Sequence, residues 1–412
     1  MSQKKTVWII NHYASTPQTG FAGRHYYLGQ ELAKLGYNVY IIAASYTHIL
    51  RQPLTFEDDF YIENHAPNFN YVWVKVPEYA ESRSKRRVLN WFEFSWKLLK
   101  LPKILSEKPD VILNSSLSLV SYMAAEKLAK KLKVPLYFEV RDIWPLTLLE
   151  LGGYSKSHPF IMLLQWIEDR AYKNSYKVIS NLKNSVEHMV SHGLERSKFH
   201  WIPNGFSQDE VSNKEPLDPK ISALLPKNKF IVGYTGTLGL ANCLHYLLQA
   251  AKEFKSNEDV AFVIVGKGDY KAELQAYAQE YNLKNVTFID PIPKIQIQSM
   301  LDQFDVCYIG LTQDPLFKYG VSPNKLFDYL YSGKPLLYGI DSGNYKPVSE
   351  ANAGFEFIPE DVQDLIKKIQ LLINMCASER QSMGYNGRKL AETKYEYSHL
   401  AQELEKVLEL QI

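Results

Sequence analysis

Along most of its length the chain alternates short apolar runs with stretches in which apolar residues recur every three or four positions. The first cycle is Thr6-Val-Trp-Ile-Ile10, an amphipathic stretch reaching Leu35, and Val39-Tyr-Ile-Ile-Ala43. Apolar runs of this length read as strands buried on both faces, and the stretches between them as covering helices, the pattern of parallel sheets in α/β domains. Further strands are expected at 72–76, 111–113, 136–140, 177–179 and 199–202. A second series follows at 230–234, 261–265, 286–289, 306–309 and 335–340. No short repeat period is present, which excludes solenoids and propellers.

With 412 residues the chain exceeds what one core holds. The first series closes at Ile202-Pro-Asn-Gly205, and the polar stretch after it carries Pro216, Pro219 and Pro226. The expected domains are therefore 1–205 and 229–385, joined by a linker at 206–228, with a helical segment at 386–412.

Composition narrows the functional classes. A hydrophobic content of 46% supports packed cores, and a formal net charge of +2 lacks the broad basic field of a nucleic-acid binder. Cys243, Cys307 and Cys376 are far apart and without metal-ligand spacing, so neither a disulfide nor an obligatory metal is expected. The apolar run at 7–10 is too short for a leader, and no stretch approaches the ~18 apolar residues of a membrane span. A cytoplasmic protein is expected.

In open α/β sheets ligands bind beyond the carboxyl ends of strands, where glycine lets backbone approach them. Three such turns stand out: Gly20 to Gly23, followed by Arg24; Gly236-Thr237-Leu238; and Gly266-Lys-Gly268. Each suits a phosphate, and each equally suits close chain packing. The segment Val321-Ser-Pro-Asn-Lys-Leu-Phe-Asp-Tyr-Leu-Tyr-Ser-Gly-Lys-Pro335 adds charge. Ser322 reads as a helix cap and Pro323 as the first helical residue. The N–H groups of Asn324 and Lys325 would then face an anion, with the Lys325 ammonium beside them. Asp328, three residues on, can accept two hydrogen bonds from a vicinal diol. An ordinary capped surface helix fits the same spacing.

Taken in order, these segments resemble glycosyltransferase family 4, the retaining nucleotide-sugar-dependent enzymes. The resemblance rests on Thr19-Gly-Phe-Ala-Gly23, Leu35-Gly-Tyr-Asn-Val39, Trp201-Ile-Pro-Asn-Gly205, the turn at Gly236, Val265-Gly-Lys-Gly268, Asn285-Val-Thr-Phe288, Asp305-Val306 and the 322–335 segment. It is nearest to bacterial O-antigen and capsule transferases of the N-acetylfucosamine transferase type. It implies an α/β GT-B fold, two Rossmann-like parallel-sheet domains facing a central cleft, with 386–412 returning to the first. It further implies a UDP-sugar donor, no required cofactor, and Asp328 on the ribose as the second acid of the family's Glu-x7-Glu pattern. The first acid is replaced by Gly320, which suits a sugar of altered C3 or C4 configuration, a deoxy sugar or an acetamido sugar. The family's phosphate-binding Arg and Lys fall at Thr237 and Asn242, leaving the diphosphate to Lys325, Arg24, the Thr237 hydroxyl and backbone N–H groups near Gly23, Leu238 and Asn324. Catalysis would rest on stabilising the leaving diphosphate, with no covalent nucleophile.

For the acceptor, Phe138-Glu-Val-Arg-Asp-Ile-Trp-Pro145 places Glu139, Arg141, Asp142 and Trp144 at a strand end. Arg141 stands where relatives carry a histidine; Asp142 would orient the acceptor hydroxyl, or the two form a structural ion pair. His12 follows the first strand, where a histidine is either a ligand contact or a core group. Residues 82–100 carry Val88, Trp91, Phe92, Trp96 and Leu99 at helical spacing among Arg83, Lys85, Arg86, Arg87, Lys97 and Lys100. The stripe either faces the sheet or lies on an anionic membrane at the inner face of the cell membrane. The membrane reading matches an acceptor saccharide carried on a polyprenyl diphosphate. The competing functions are a nucleotide-sugar epimerase or phosphorylase of the same fold, and a non-catalytic nucleotide-sugar-binding scaffold.

Overall fold

The computed structural model describes residues 4–20, 23–79, 84–150 and 152–411. Phe21 and Ala22 of the first glycine loop, and Ser82 and Arg83 of the basic stretch, lie outside the described residues, as does the Lys85 side chain. The chain divides into two compact units: one runs to Pro203 and resumes at Tyr397, and the other is Asn204–Glu396.

The first unit is built on an eight-stranded sheet of β1 (Thr6–Ile10), β2 (Asn38–Ala44), β3 (Phe60–Ala66), β4 (Phe69–Val74), β5 (Val111–Ser115), β6 (Leu136–Val140), β7 (Val178–Ser180) and β8 (Phe199–Trp201). The order is β3-β4-β2-β1-β5-β6-β7-β8. All neighbours are parallel except β3, which pairs antiparallel with β4. β3 was not among the expected strands. It is an edge strand that exposes Tyr61 and Ile62 and carries Glu63, Asn64 and His65, so it has no buried apolar run to betray it. Asn68, at φ 65°, makes the tight turn into β4.

Helices α1 (Arg24–Lys34), α2 (Lys85–Leu98), α3 (Val120–Leu132), α4 (Pro159–Asn174) and α5 (Val186–Ser191) belong to this unit. The chain re-enters it as a helix over Tyr397–Val407, whose Leu400, Ala401 and Leu404 join the core of Val7, Ile9, Leu28, Leu32, Val39 and Ile41. Tyr27 of α1 stacks on Tyr397 with ring centroids 5.0 Å apart. Each fully buried Leu contributes ~1.5–3 kcal/mol, so this return segment is an integral part of the first core.

The second unit holds an all-parallel six-stranded sheet of β9 (Phe230–Thr237), β10 (Val260–Lys267), β11 (Val286–Ile289), β12 (Val306–Gly310), β13 (Leu336–Gly339) and β14 (Gly354–Glu356), ordered β11-β10-β9-β12-β13-β14. Its core gathers Val232, Phe262, Ile264 and Val306 with Leu247 and Leu248 of α6 (Leu244–Glu253). The stretch expected as a linker packs on this unit instead. It contains short helices at Gln208–Ser212 and Pro219–Leu224, and Phe206 bridges to Glu396 and lies 4.9 Å from the Tyr331 ring. The return to the first unit comes at Tyr397 rather than at 386, because Ala377–Leu390 and the following π turn pack within the second unit.

Candidate functional site

In the second unit the site grows from the end of β9 and the start of α7 (Asn324–Ser332). Lys325 and Tyr329 lie four residues apart and so share one face of α7. Tyr329 Oη accepts from the Thr235 N–H (2.7 Å) and donates to the Thr235 carbonyl (3.0 Å), bracing the strand end. Lys325 Nζ donates to Tyr234 Oη (2.8 Å) and to Asn242 Oδ1 (2.7 Å). Tyr234 Oη in turn donates to the Thr237 carbonyl (2.6 Å). Gly236 has φ +148°, and a Cβ there would meet Lys325 Nζ at 3.3 Å, so a glycine lets the ammonium reach the turn. Desolvation lowers the Lys325 pKa to about 7. A cation held this way, with no carboxylate partner in its hydrogen bonds, is suited to an incoming anion.

The start of α7 differs from the expected cap. Pro323 is the N-cap residue, with no side-chain capping bond, and Asn324 is the first helical residue. The Ser322 hydroxyl is engaged elsewhere, accepting from the Asn204 N–H (3.0 Å), while Asn204 Nδ2 donates to the Ser322 carbonyl (2.9 Å) and Asn324 Oδ1 (3.3 Å). Asn204 thereby holds the Ser-Pro-Asn turn. The first helical N–H groups, those of Asn324 and Lys325, have no acceptor within the helix. Asp328 Oδ2 pairs with Lys294 Nζ at 2.6 Å and is 13% exposed, so a diol reaching it would share or displace that lysine. Gly320 has φ +103°, a conformation in which a glutamate would be strained.

One proposed phosphate contact is corrected. The Leu238 N–H is taken by the Lys267 carbonyl (2.9 Å), and the Leu238 side chain is buried. Gly266 and Gly268 make room for backbone: a Cβ on Gly266 would lie 1.8 Å from the Gly236 carbonyl oxygen, and one on Gly268 2.2 Å from that of Leu238. Their absent side chains let the β9 and β10 turns lie against each other. Thr237 remains exposed.

In the first unit, Gly20 closes a turn by donating to the Thr16 carbonyl (3.0 Å), and Gly23 is the N-cap residue of α1. Arg24 is buried and committed: its Nε donates to Glu139 Oε1 (2.7 Å) and another guanidinium nitrogen to the Pro203 carbonyl. Glu139 also takes His25 Nε2 (2.6 Å) and the Ser115 hydroxyl (2.7 Å) on its other oxygen. His25, Arg24 and Arg141 hold the Glu139 pKa well below the carboxylate range against the opposing effect of burial. Burial lowers that of His25, whose Nδ1 faces Asn11 Nδ2 at 2.7 Å, assigning a neutral ring that donates through Nε2. Glu139 is therefore an organiser of buried groups, not an acceptor contact, and Arg24 is its counter-ion.

The neighbouring loop is open. Arg141 is half-buried, its Nε buried without a hydrogen-bond partner, and its N–H donates to the Ser116 hydroxyl (3.0 Å). Asp142 is exposed at the surface; desolvation raises its pKa and Arg141 opposes the rise. Trp144 meets Trp91 edge to face at 5.8 Å. His12 is enclosed, 4.5 Å from the Phe94 ring, and burial drives its pKa to about 3, so it is a neutral core group rather than an acceptor contact.

The stripe at 82–100 splits between two faces. Trp91, Phe94 and Leu98 are buried, whereas Leu89 (63%), Phe92 (45%) and Trp96 (70%) face water. Phe160 of α4 stacks near Trp91 at 6.2 Å, and α4 exposes Met162, Leu163 and Trp166 as well. Lys97 and Lys100 are paired with Asp59, which leaves Arg86 as an exposed cation on α2. Among the described residues no helix is long and apolar enough to cross a membrane.

Comparison with known proteins agrees with this architecture. Residues 22–210 match the Glycosyltransferase Family 4 description and residues 219–390 match Glycosyl transferases group 1. The chain is 26% identical over 276 residues to WcaI of Escherichia coli (strain K12), named for colanic acid biosynthesis glycosyl transfer. That match covers 64% of this chain and 66% of WcaI. It is 26% identical to the capsular polysaccharide biosynthesis glycosyltransferase CapM of Staphylococcus aureus over 48% of this chain and 50% of CapM, so it spans about half to two thirds of these relatives. The structure of Anabaena HepE in complex with UDP superposes with a TM-score of 0.68 at 16% identity, covering 99% of this chain and 100% of HepE. With a glycosyltransferase family match in each half and two parallel-sheet α/β units, the chain is a glycosyltransferase of GT-B fold.

Proposed function

We propose that the protein transfers a sugar from UDP-sugar to a lipid-linked saccharide, with retention of anomeric configuration, in the building of a bacterial surface polysaccharide. The observation that carries the reading is the Lys325 ammonium lodged against the Gly236 turn. It meets Asn242, the very position where the family resemblance leads one to expect a lysine, so α7 supplies from the other side the cation that position 242 lacks. Lys325 and the α7 start would stabilise charge developing on the leaving diphosphate, where losing one such donor costs about 10²–10³ in rate. Asp328 would hold the ribose. Arg141 and Asp142 would meet the acceptor or the transferred sugar, with Trp144 beside them. UDP as nucleotide is supported by the HepE complex, and surface polysaccharide by the names of WcaI and CapM. A deoxy or acetamido sugar, such as an N-acetylated deoxyhexosamine, suits the position of Gly320. No metal is assigned to the donor site.

The exposed stripe Leu89, Phe92 and Trp96, with Arg86, supports reversible seating on an anionic membrane, where a polyprenyl diphosphate acceptor resides. The decisive experiment supplies a panel of UDP-sugars with polyprenyl-diphosphate saccharides in anionic vesicles and measures UDP release and product anomer by NMR. Transfer with retention is expected. Absence of UDP binding or of turnover with every donor would overturn the reading, as would an inverted product for its retaining part.

A further inference from the structure

Outside the site described above, the first unit gathers two histidines and two carboxylates where α4 meets α5. The geometry points to a zinc-class divalent cation site formed by Glu168, Asp169 and His192, with His188 alongside. Each of the first three offers one ligand atom, and these atoms lie within 4.8 Å of one another. His188 and His192 are four residues apart, their rings 4.5 Å from centroid to centroid, and His188 Nε2 faces Glu168 Oε1 at 3.7 Å. Imidazole with carboxylate is a donor set suited to zinc and its neighbours rather than to magnesium or calcium.

The occupant of the centre supplies an independent argument. Gln165 Nε2 sits 2.8 Å from Glu168 Oε2, 2.7 Å from Asp169 Oδ1 and 3.0 Å from His192 Nδ1. An amide nitrogen has two hydrogens for these three neighbours. His192 Nδ1 also lies 2.9 Å from Asp169 Oδ1, and one ring nitrogen cannot both donate to that carboxylate and accept from the amide. Some contact is therefore unsatisfied in either tautomer, whereas a cation in place of the amide group accepts from all three at once. Glu168 is prepared for it: its carboxylate is 1% exposed, and Tyr172 Oη donates to Oε1 (2.7 Å), leaving Oε2 to point at the centre. This is the outer hydrogen bond that orients a ligating carboxylate. Asp169 and His192, 47% and 30% exposed, provide the way in. A bound ion would tie α4, which follows β6 and the Arg141 loop, to α5, which follows β7.

The test is calorimetric titration of tag-free, chelator-treated protein with ZnCl2, made in a Cys376→Ser background because that thiol is exposed. One saturable site in the micromolar range or tighter is expected, with a rise in melting temperature. His192→Ala and Glu168→Gln should each weaken it at least about tenfold, the loss that even an outer hydrogen-bond partner can cause. Gln165→Ala, which removes the occupant and no ligand, should bind as tightly or more tightly. Should either ligand variant fail to fold, Co2+ spectra of the wild type and Gln165→Ala decide, since mixed nitrogen and oxygen ligation gives visible bands without thiolate charge transfer. No saturable binding below millimolar zinc, or binding indifferent to His192 and Glu168, would overturn the site.

Discussion

Replacing Lys325 by methionine should make the protein more stable and a poorer diphosphate binder at the same time. Desolvation moves the ammonium pKa from 10.5 to about 7. At ~1.36 kcal/mol per pKa unit, keeping the charge in the fold costs up to roughly 4–5 kcal/mol when fully protonated. The sign follows from proton binding: above pH 7 the unfolded chain holds a proton that the folded one has released. That cost is fully present below pH 7 and is relieved as pH rises from 7 toward 10.5. Methionine keeps the length of the side chain and removes the charge, losing the bonds to Tyr234 and Asn242, worth about 1 kcal/mol each. Urea melts should therefore show Lys325→Met more stable than wild type at pH 6, by a margin that shrinks by pH 9. A UDP diphosphate beside Nζ restores the proton, so wild-type UDP affinity should fall above pH 7 by up to about tenfold per unit. The variant should lose about 10-fold or more in UDP affinity, from a charge-assisted bond of about 1.5–3 kcal/mol, and little for uridine. Calorimetry at pH 7.5–9 in two buffers of different ionisation enthalpy counts the proton taken up. UDP affinity unchanged in Lys325→Met, or pH-independent binding without proton uptake, would refute the reasoning.

Asp328→Ala should weaken UDP and uridine alike by about 10–100-fold, as loss of a charge-assisted ribose contact predicts, and titration of both ligands distinguishes this from the selective effect at Lys325. Gly266→Ala places a Cβ 1.8 Å from the Gly236 carbonyl oxygen at φ +148°; thermal melts should show a loss of several degrees and UDP binding should fall with the displaced turn. Leu89→Asp with Trp96→Asp, both on the exposed face of α2, should abolish flotation with anionic vesicles while leaving the melting temperature within a degree or two.

The period of the apolar pattern was enough to set the α/β character and most strands, because a strand buried on both faces must be apolar along its whole length. The same rule explains the misses: β3 is an edge strand with Glu63 and His65 on it, and β14 is three residues long. Gly236 and Lys325 could be read from the sequence as candidate phosphate contacts, and Asp328 as a candidate ribose contact. Sequence could not say that Lys325 would be threaded to Tyr234, 91 positions away, or that Asn204 rather than Ser322's own helix would claim the Ser322 hydroxyl. Nor could it show that Glu139 is consumed by Arg24, His25 and Ser115, which removes it from the substrate's reach. Local backbone preference and amphipathic spacing are written within a dozen residues of the chain. The partner of a buried charge is chosen by which strands lie side by side, so only the tertiary structure decides whether a polar residue is spent on the fold or left for a ligand.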